Sequence, residues 1–156
     1  MLGILAWDVA VQGVPLADFL TGAARRFRPH VTLMPRTPIA RHLDLRVLLR
    51  DLVSPSRIML NGPRSPAPGL FWYECDPGQP GHDELVSAHH RCMKVYGAPH
   101  GPYTGRNYRP HLTIAAGSDP PPKGLPEQLV ATCLNLSLYR YGPAPDHGNV
   151  ERIALA

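Results

Sequence analysis

The chain has little cysteine. Cys75, Cys92 and Cys133 lie far apart, cannot all pair internally, and form no C-x-x-C spacing that would suggest zinc. They read as buried thiols in a reducing compartment, so a cytoplasmic protein is expected. Charge is also sparse: charged residues make up 18% of the 156 positions against 44% hydrophobic, a globular balance that excludes a disordered chain. No apolar run approaches the roughly 18 residues that a membrane helix needs. Met1 to Val11 carries no basic stretch ahead of its apolar residues, so no signal peptide is expected and no membrane partner is implied. What abounds is nineteen prolines and fourteen glycines, which predict many turns and a loop-rich surface. The net charge of +4 suits an anionic ligand. The length predicts a single domain over residues 1–156, expected to be a monomer.

One hexapeptide occurs twice. Arg28-Pro29-His30-Val31-Thr32-Leu33 returns 81 residues later as Arg109-Pro110-His111-Leu112-Thr113-Ile114, with an aliphatic residue in each variable slot. Both copies have strand composition, with proline tolerated only at the strand's start. Residues i and i+2 of a strand share a face, so each copy places an imidazole and a hydroxyl together and turns its aliphatic residues to a core. Two such strands facing one groove bring two histidines and two threonines to a single small anion.

In chain order, Ile4 to Val11 alternates as a first strand, and Pro15 to Phe27 reads as a short helix with Leu16, Phe19, Leu20 and Ala23 on one stripe. After the first motif, Thr37-Pro38 predicts an N-cap and first turn of a helix carrying Leu45, Leu48, Leu49 and Leu52. Arg57 to Asn61 and Leu70 to Cys75 are strands around a loop at Gly62 to Gly69. Gly81 to Tyr96 is the clearest helix, with Leu85, Ala88, Cys92 and Val95 on one face and Gly97 as its stop. Beyond the second motif, Leu125 to Thr132 reads as a helix, Leu134 to Tyr141 and Val150 to Leu155 as strands, Gly142 to Gly148 as turns, and Pro120 to Pro122 as a rigid connector. Each half thus runs from a motif strand through a helix to two strands. The fold class expected is α+β: two pseudo-twofold-related lobes, each a small mostly antiparallel sheet with helices outside, around a central cleft.

Histidine is the side chain whose ordinary pKa lies near neutrality, so two in one cleft can divide general-base and general-acid roles. Hydroxyls one rung along can donate to non-bridging phosphate oxygens. The set His30, His111, Thr32 and Thr113 suits in-line attack on a phosphodiester and calls for no cofactor and no metal.

The tandem His-x-Thr motifs resemble those of the 2H phosphoesterase superfamily, and most of all its small 2′–5′ RNA ligase and cyclic phosphodiesterase branch. The resemblance implies opening of a 2′,3′-cyclic phosphate, or cleavage or joining of a 2′–5′ linkage, with a nucleotide cyclic phosphate or an RNA end as partner. A non-catalytic module that binds an RNA end or nucleotide is the alternative from another class.

Around the motifs, Tyr103 and Arg106 are candidates for stacking on a base and meeting phosphate. Arg28 and Arg109, at the strand entries, are weaker ones. Phe71, Trp72 and Tyr73 read as core packing, and His89 and His90 as a helix surface. Asp8 stands on the first strand, placed to orient a group in the cleft, though nothing in the sequence requires that role. His42, His82, His100 and His147 receive none.

Overall fold

The computed structural model describes residues 2–38, 50–97, 99, 101–117, 122–141 and 150–155. Its strands are β1 (Leu2–Val11), β2 (Thr21–Gly22), β3 (His30–Pro38), β4 (Ile58–Ala67), β5 (Leu70–Glu74), β6 (His111–Ala116), β7 (Gln128–Tyr141) and β8 (Glu151–Ala154), with one long helix, α1 (His82–Tyr96), among the described residues. The strands join in the order β2-β6-β5-β4-β7-β1-β3, and β8 adds to β7. All pairings are antiparallel except the short β2–β6 contact. The class is α+β, as expected.

β7 joins the two motif neighbourhoods. One of its edges pairs with β1 from Ala131 to Tyr141. Its other edge pairs first with β4, Gln128 to Ala131 against Asn61 to Ile58, and then with β8. The β3 motif is therefore flanked by β1 and the β6 motif by β5, with β4 and β7 between.

The hydrophobic pattern accounts for the core. Val31 and Leu33 on β3, and Leu112 and Ile114 on β6, are fully buried, while the histidines and threonines between them are half-buried on the opposite face. Leu85, Ala88 and Cys92 of α1 pack into the same cluster, but Val95 is exposed and His89 is buried in its place. No helix among the described residues is long and apolar enough to cross a membrane.

Four expectations change. Pro15 to Phe27 is not a helix but two 3-10 turns, Leu16–Phe19 and Ala23–Arg26, split by β2. Gly22 makes the break: its φ is +61°, and a Cβ there would lie 1.9 Å from the Ala116 carbonyl oxygen, so only glycine permits the approach to β6. Leu16, Leu20 and Ala24 still reach the core. Gly62 to Gly69 is mostly strand. β4 runs on to Ala67 with register shifts on either side of Arg64, and beyond Asn61 its outer edge is past the reach of β7, so Pro63 and Pro66 are tolerated at irregular, edge positions. Leu125 to Thr132 is not a helix either, because residues 128–141 form one strand in which Leu129 and Ala131 alternate into the core. Thr37-Pro38 ends β3 opposite Gly3 and Leu2 and opens no helix there.

Residues 39–49, most of that expected helix, lie outside the described residues; residues 50–51 are helical and Leu52 packs on the core. Also outside are 142–148 and most of the proline connector, together with His42, His100 and His147.

Candidate functional site

Each motif builds the same local device. Proline has no N–H, and its carbonyl accepts from the neighbouring strand: Val9 N–H donates to Pro29 at 3.0 Å, and Cys75 N–H to Pro110 at 2.8 Å. The next residue is the histidine, and its Nδ1 lies 2.7 Å from the carbonyl oxygen two residues back, Arg28 for His30 and Arg109 for His111. A carbonyl only accepts, so Nδ1 carries the proton and Nε2 keeps its lone pair. The backbone of Arg-Pro-His thereby fixes the tautomer and orientation of both rings.

The four motif residues line two adjoining pockets. One, of about 340 Å³, takes in Thr32, Trp72, Tyr103, Tyr108 and His111. The other, of about 260 Å³, takes in Phe27, Arg28, His30, Thr32 and Thr113. They share Thr32, Pro35 and Leu70. A larger depression of about 740 Å³ runs along Asp83, Ser87, His90 and Arg91 of α1 and contains none of the motif residues.

Behind each imidazole stands a buried carboxylate. Asp8 is the partner of His30 in the β1–β3 ladder. It accepts from Ser137 at 2.6 Å, from Tyr139 at 2.5 Å and from Arg152 at 2.6 and 2.8 Å. Glu74 is the partner of His111 in the β5–β6 ladder. It accepts from Trp72 Nε1 at 3.0 Å and pairs with Arg109 at 2.6 Å and Arg64 at 3.3 Å. The aromatic member of each set meets the histidine. Trp72 stacks on His111, centroids 3.8 Å apart at 25°, and Tyr139 lies 5.3 Å from His30.

These surroundings set the proton affinities. Burial pushes His111 down to about 4, with the charge of His30 pushing the same way and the Arg109 carbonyl and Glu74 opposing. Burial also lowers His30, against its bond to the Arg28 carbonyl and the pull of Asp8. Both shifts favour the neutral ring, and each imidazole has its own charged neighbours.

Of the other candidates, Tyr103 is at the site, edge-on to Trp72 at 4.9 Å. Arg106 is exposed on the 3-10 turn Gly105–Asn107 and lines neither pocket. Arg28 lines the pocket of His30, whereas Arg109 is held by Glu74 and lies over Trp72 at 5.4 Å. Trp72 is buried with the core, as expected, and its ring also lines the pocket beside His111, while Tyr73 turns inward, its hydroxyl donating to the Pro126 carbonyl at 2.5 Å. His89 is no surface residue: it is fully buried. His82 is paired with Asp83 at 3.1 Å. Among the described residues no group of three or more histidine, cysteine, aspartate or glutamate side chains is placed to hold a metal ion. Asp8 follows Trp7, and Glu74 lies between Tyr73 and Cys75, in strand segments that look like core in the sequence. The usable signal was their place opposite the histidines, which needs the register.

No curated protein sequence matches the chain. Among solved structures, the fold is similar to that of Escherichia coli LigT complexed with 3′-AMP, with a TM-score of 0.54 at 18% identity, covering 99% of this chain and 94% of that one. The model of the 2′-5′ RNA ligase superfamily matches residues 6–155. With that match over nearly its whole length, the chain belongs to the 2′-5′ RNA ligase superfamily, the 2H phosphoesterases.

Proposed function

We propose that the protein is a phosphoesterase that opens 2′,3′-cyclic phosphates of nucleotides or RNA ends by two-histidine acid–base catalysis, with no metal in the mechanism. The observation that carries this reading is the pair of imidazoles whose Nδ1 atoms are tied to backbone carbonyls, in pockets that meet at Thr32. One neutral Nε2 takes a proton from water as the water oxygen attacks phosphorus. The bond from phosphorus to one ribose oxygen breaks, and that oxygen receives a proton from the other, protonated ring. Thr32 and Thr113 donate to the non-bridging oxygens. Tyr103 offers a base a ring to stack on. The nucleotide in the structurally similar LigT supports a ligand of this class.

A second reading has an observation of its own. Two pockets flank the shared Thr32, which supports a phosphodiester with a group on each side, such as a 2′–5′ linkage, as substrate or product.

The test is hydrolysis of the four 2′,3′-cyclic nucleotides and of a 2′–5′ dinucleotide, with EDTA present. Turnover is expected to survive EDTA and to fall by roughly 10²–10⁴ in His30→Ala and in His111→Ala. The isomer of the product identifies the oxygen that leaves. Activity persisting in either variant would sink the assignment. A wild type that binds nucleotide without turnover, with affinity surviving His→Asn, would establish a binding module.

A further inference from the structure

His89, in the middle of α1, is fully buried and takes no part in the chemistry proposed above. Its Nδ1 lies 2.6 Å from the Leu33 carbonyl oxygen on β3, so Nδ1 carries the proton. Nε2 is then an acceptor, and Gly105 N–H donates to it at 2.9 Å. Only the neutral ring satisfies both bonds, since an imidazolium would turn a second N–H toward the Gly105 N–H.

The same ring lies flat on Tyr108, centroids 4.0 Å apart at 14°, and Tyr108 donates its hydroxyl to the Thr32 carbonyl at 2.8 Å. Gly101, Pro102, Tyr103, Thr104 and Tyr108 wall the pocket beside His111. The bonds of Thr104 to the Pro99 and Gly101 carbonyls are internal to this loop and do not anchor it to the sheet. His89 and Tyr108 do.

We propose that His89 is a positioning residue, whose neutral ring locks the Gly101–Tyr108 wall of the nucleotide pocket onto β3. The substrate part of this statement rests on the function proposed above; the lock itself does not. The groups facing the ring are His90 on the same helix at 5.9 Å, Cys92 one turn on, and Tyr108 of the loop, while β3 presents a carbonyl. Burial and the charge of His90 hold His89 below its ordinary value; Cys92 is pushed up to about 12 and Tyr108 is raised further, so both stay uncharged at neutral pH.

The experiment compares wild type with His89→Asn and His89→Gln. The asparagine amide can replace Nδ1 toward Leu33 but leaves Gly105 N–H unpaired; the glutamine oxygen can reach the place of Nε2. Amide exchange at Gly105 is expected to quicken at least tenfold in His89→Asn and to return near wild type in His89→Gln. KM for a 2′,3′-cyclic nucleotide should rise tenfold or more in His89→Asn with kcat within about threefold, and recover in His89→Gln. Unchanged Gly105 exchange in His89→Asn, or kcat falling at constant KM, overturns the proposal. Should the variants fail to fold, the wild type decides it: a scalar coupling between the Gly105 amide nitrogen and His89 Nε2 across the hydrogen bond supports the lock, and its absence in a resolved spectrum refutes it. If the wild type neither binds nor turns over nucleotide, the proposed function fails while the Gly105 measurements still judge the lock.

Discussion

Asp8 faces His30 across the β1–β3 ladder, and its carboxylate, 1% exposed, is engaged by Ser137, Tyr139 and Arg152. The carboxylate is therefore held in place by its donors, and it acts on His30 through space by raising the proton affinity of the imidazole.

Replacing Asp8 by Asn removes that charge and strips Arg152 of its partner. Breaking a buried pair costs about 3–5 kcal/mol; the part exposure of Arg152 places the expected loss near the lower end. Urea unfolding measures it. The imidazole resonances of His30 should titrate at lower pH in Asp8→Asn than in wild type, and a higher value would contradict the assigned role.

Under the proposed acid–base mechanism, the pH profile follows from the two lowered histidines. kcat/KM reports the free enzyme, where one ring must be neutral and the other protonated. With His111 near 4 and His30 below its ordinary 6.5, the acid limb marks protonation of the base and the alkaline limb loss of the acid's proton. A bell with its maximum below pH 6.5 is expected; a plateau extending above pH 8 would rule it out.

Trp72 controls one of those limbs. Burial is the largest cause of the depression of His111, and Trp72 is the ring stacked on it. Trp72→Leu should admit water and raise the His111 value from about 4 toward 6.5, shifting the matching limb of the profile upward. His30 should move little.

Stability should fall on acidification well before the carboxylates titrate. A histidine whose folded value is depressed binds its proton more readily when unfolded, so its contribution is present above 6.5 and is lost as pH falls toward the folded value. His30, His89 and His111 all act in this sense. Asp76, lowered chiefly by its bond from Arg64, adds a further loss below its ordinary 3.8. Each titrating histidine contributes up to about 1.4 kcal/mol per pH unit. Thermal unfolding between pH 7 and 4.5 measures the slope, which His89→Gln should reduce.

Thr32→Val and Thr113→Val each remove a hydroxyl and keep the strand's shape. Loss of a hydrogen bond to a charged group is worth about 1.5–3 kcal/mol, so kcat/KM should fall roughly 10- to 100-fold in each, with the unfolding midpoint nearly unchanged.

The motif strands were legible because their physics is local. The alternation of His30 and Thr32 with Val31 and Leu33 needs only the period of a strand, and the carbonyls that orient the rings belong to Arg28 and Arg109, two residues away. The elements misjudged were those decided by distant partners. Leu125 to Thr132 has helical spacing, yet β4 offers Gln128 to Ala131 ladder positions, and β1 takes over from Ala131, all of which a helix would forfeit. Pro63 and Pro66 marked a loop, although only β5 constrains that part of β4. His89 looked like a helix surface because the Leu33 carbonyl and Gly105 N–H lie 56 and 16 residues away. Glu74 and Trp72 carry no sign of their place until the fold sets them beside His111, and Asp8, placed on the first strand to orient a group in the cleft, meets His30 only through the register.

Between the two motif strands lie β1, β7, β4 and β5, hydrogen-bonded in series. The sheet curves until its two motif strands meet, β3 against β6, so the placing of His30 relative to His111 is set by the strand order and curvature rather than by any connection. Segments outside the ladder can change length without altering the order of the strands that carry the two histidines. A single residue inserted within the Leu136–Tyr139 stretch of β7 would slide the pairs with β1 and β8 on one side of it and shift the strand that carries Asp8 from outside the pocket.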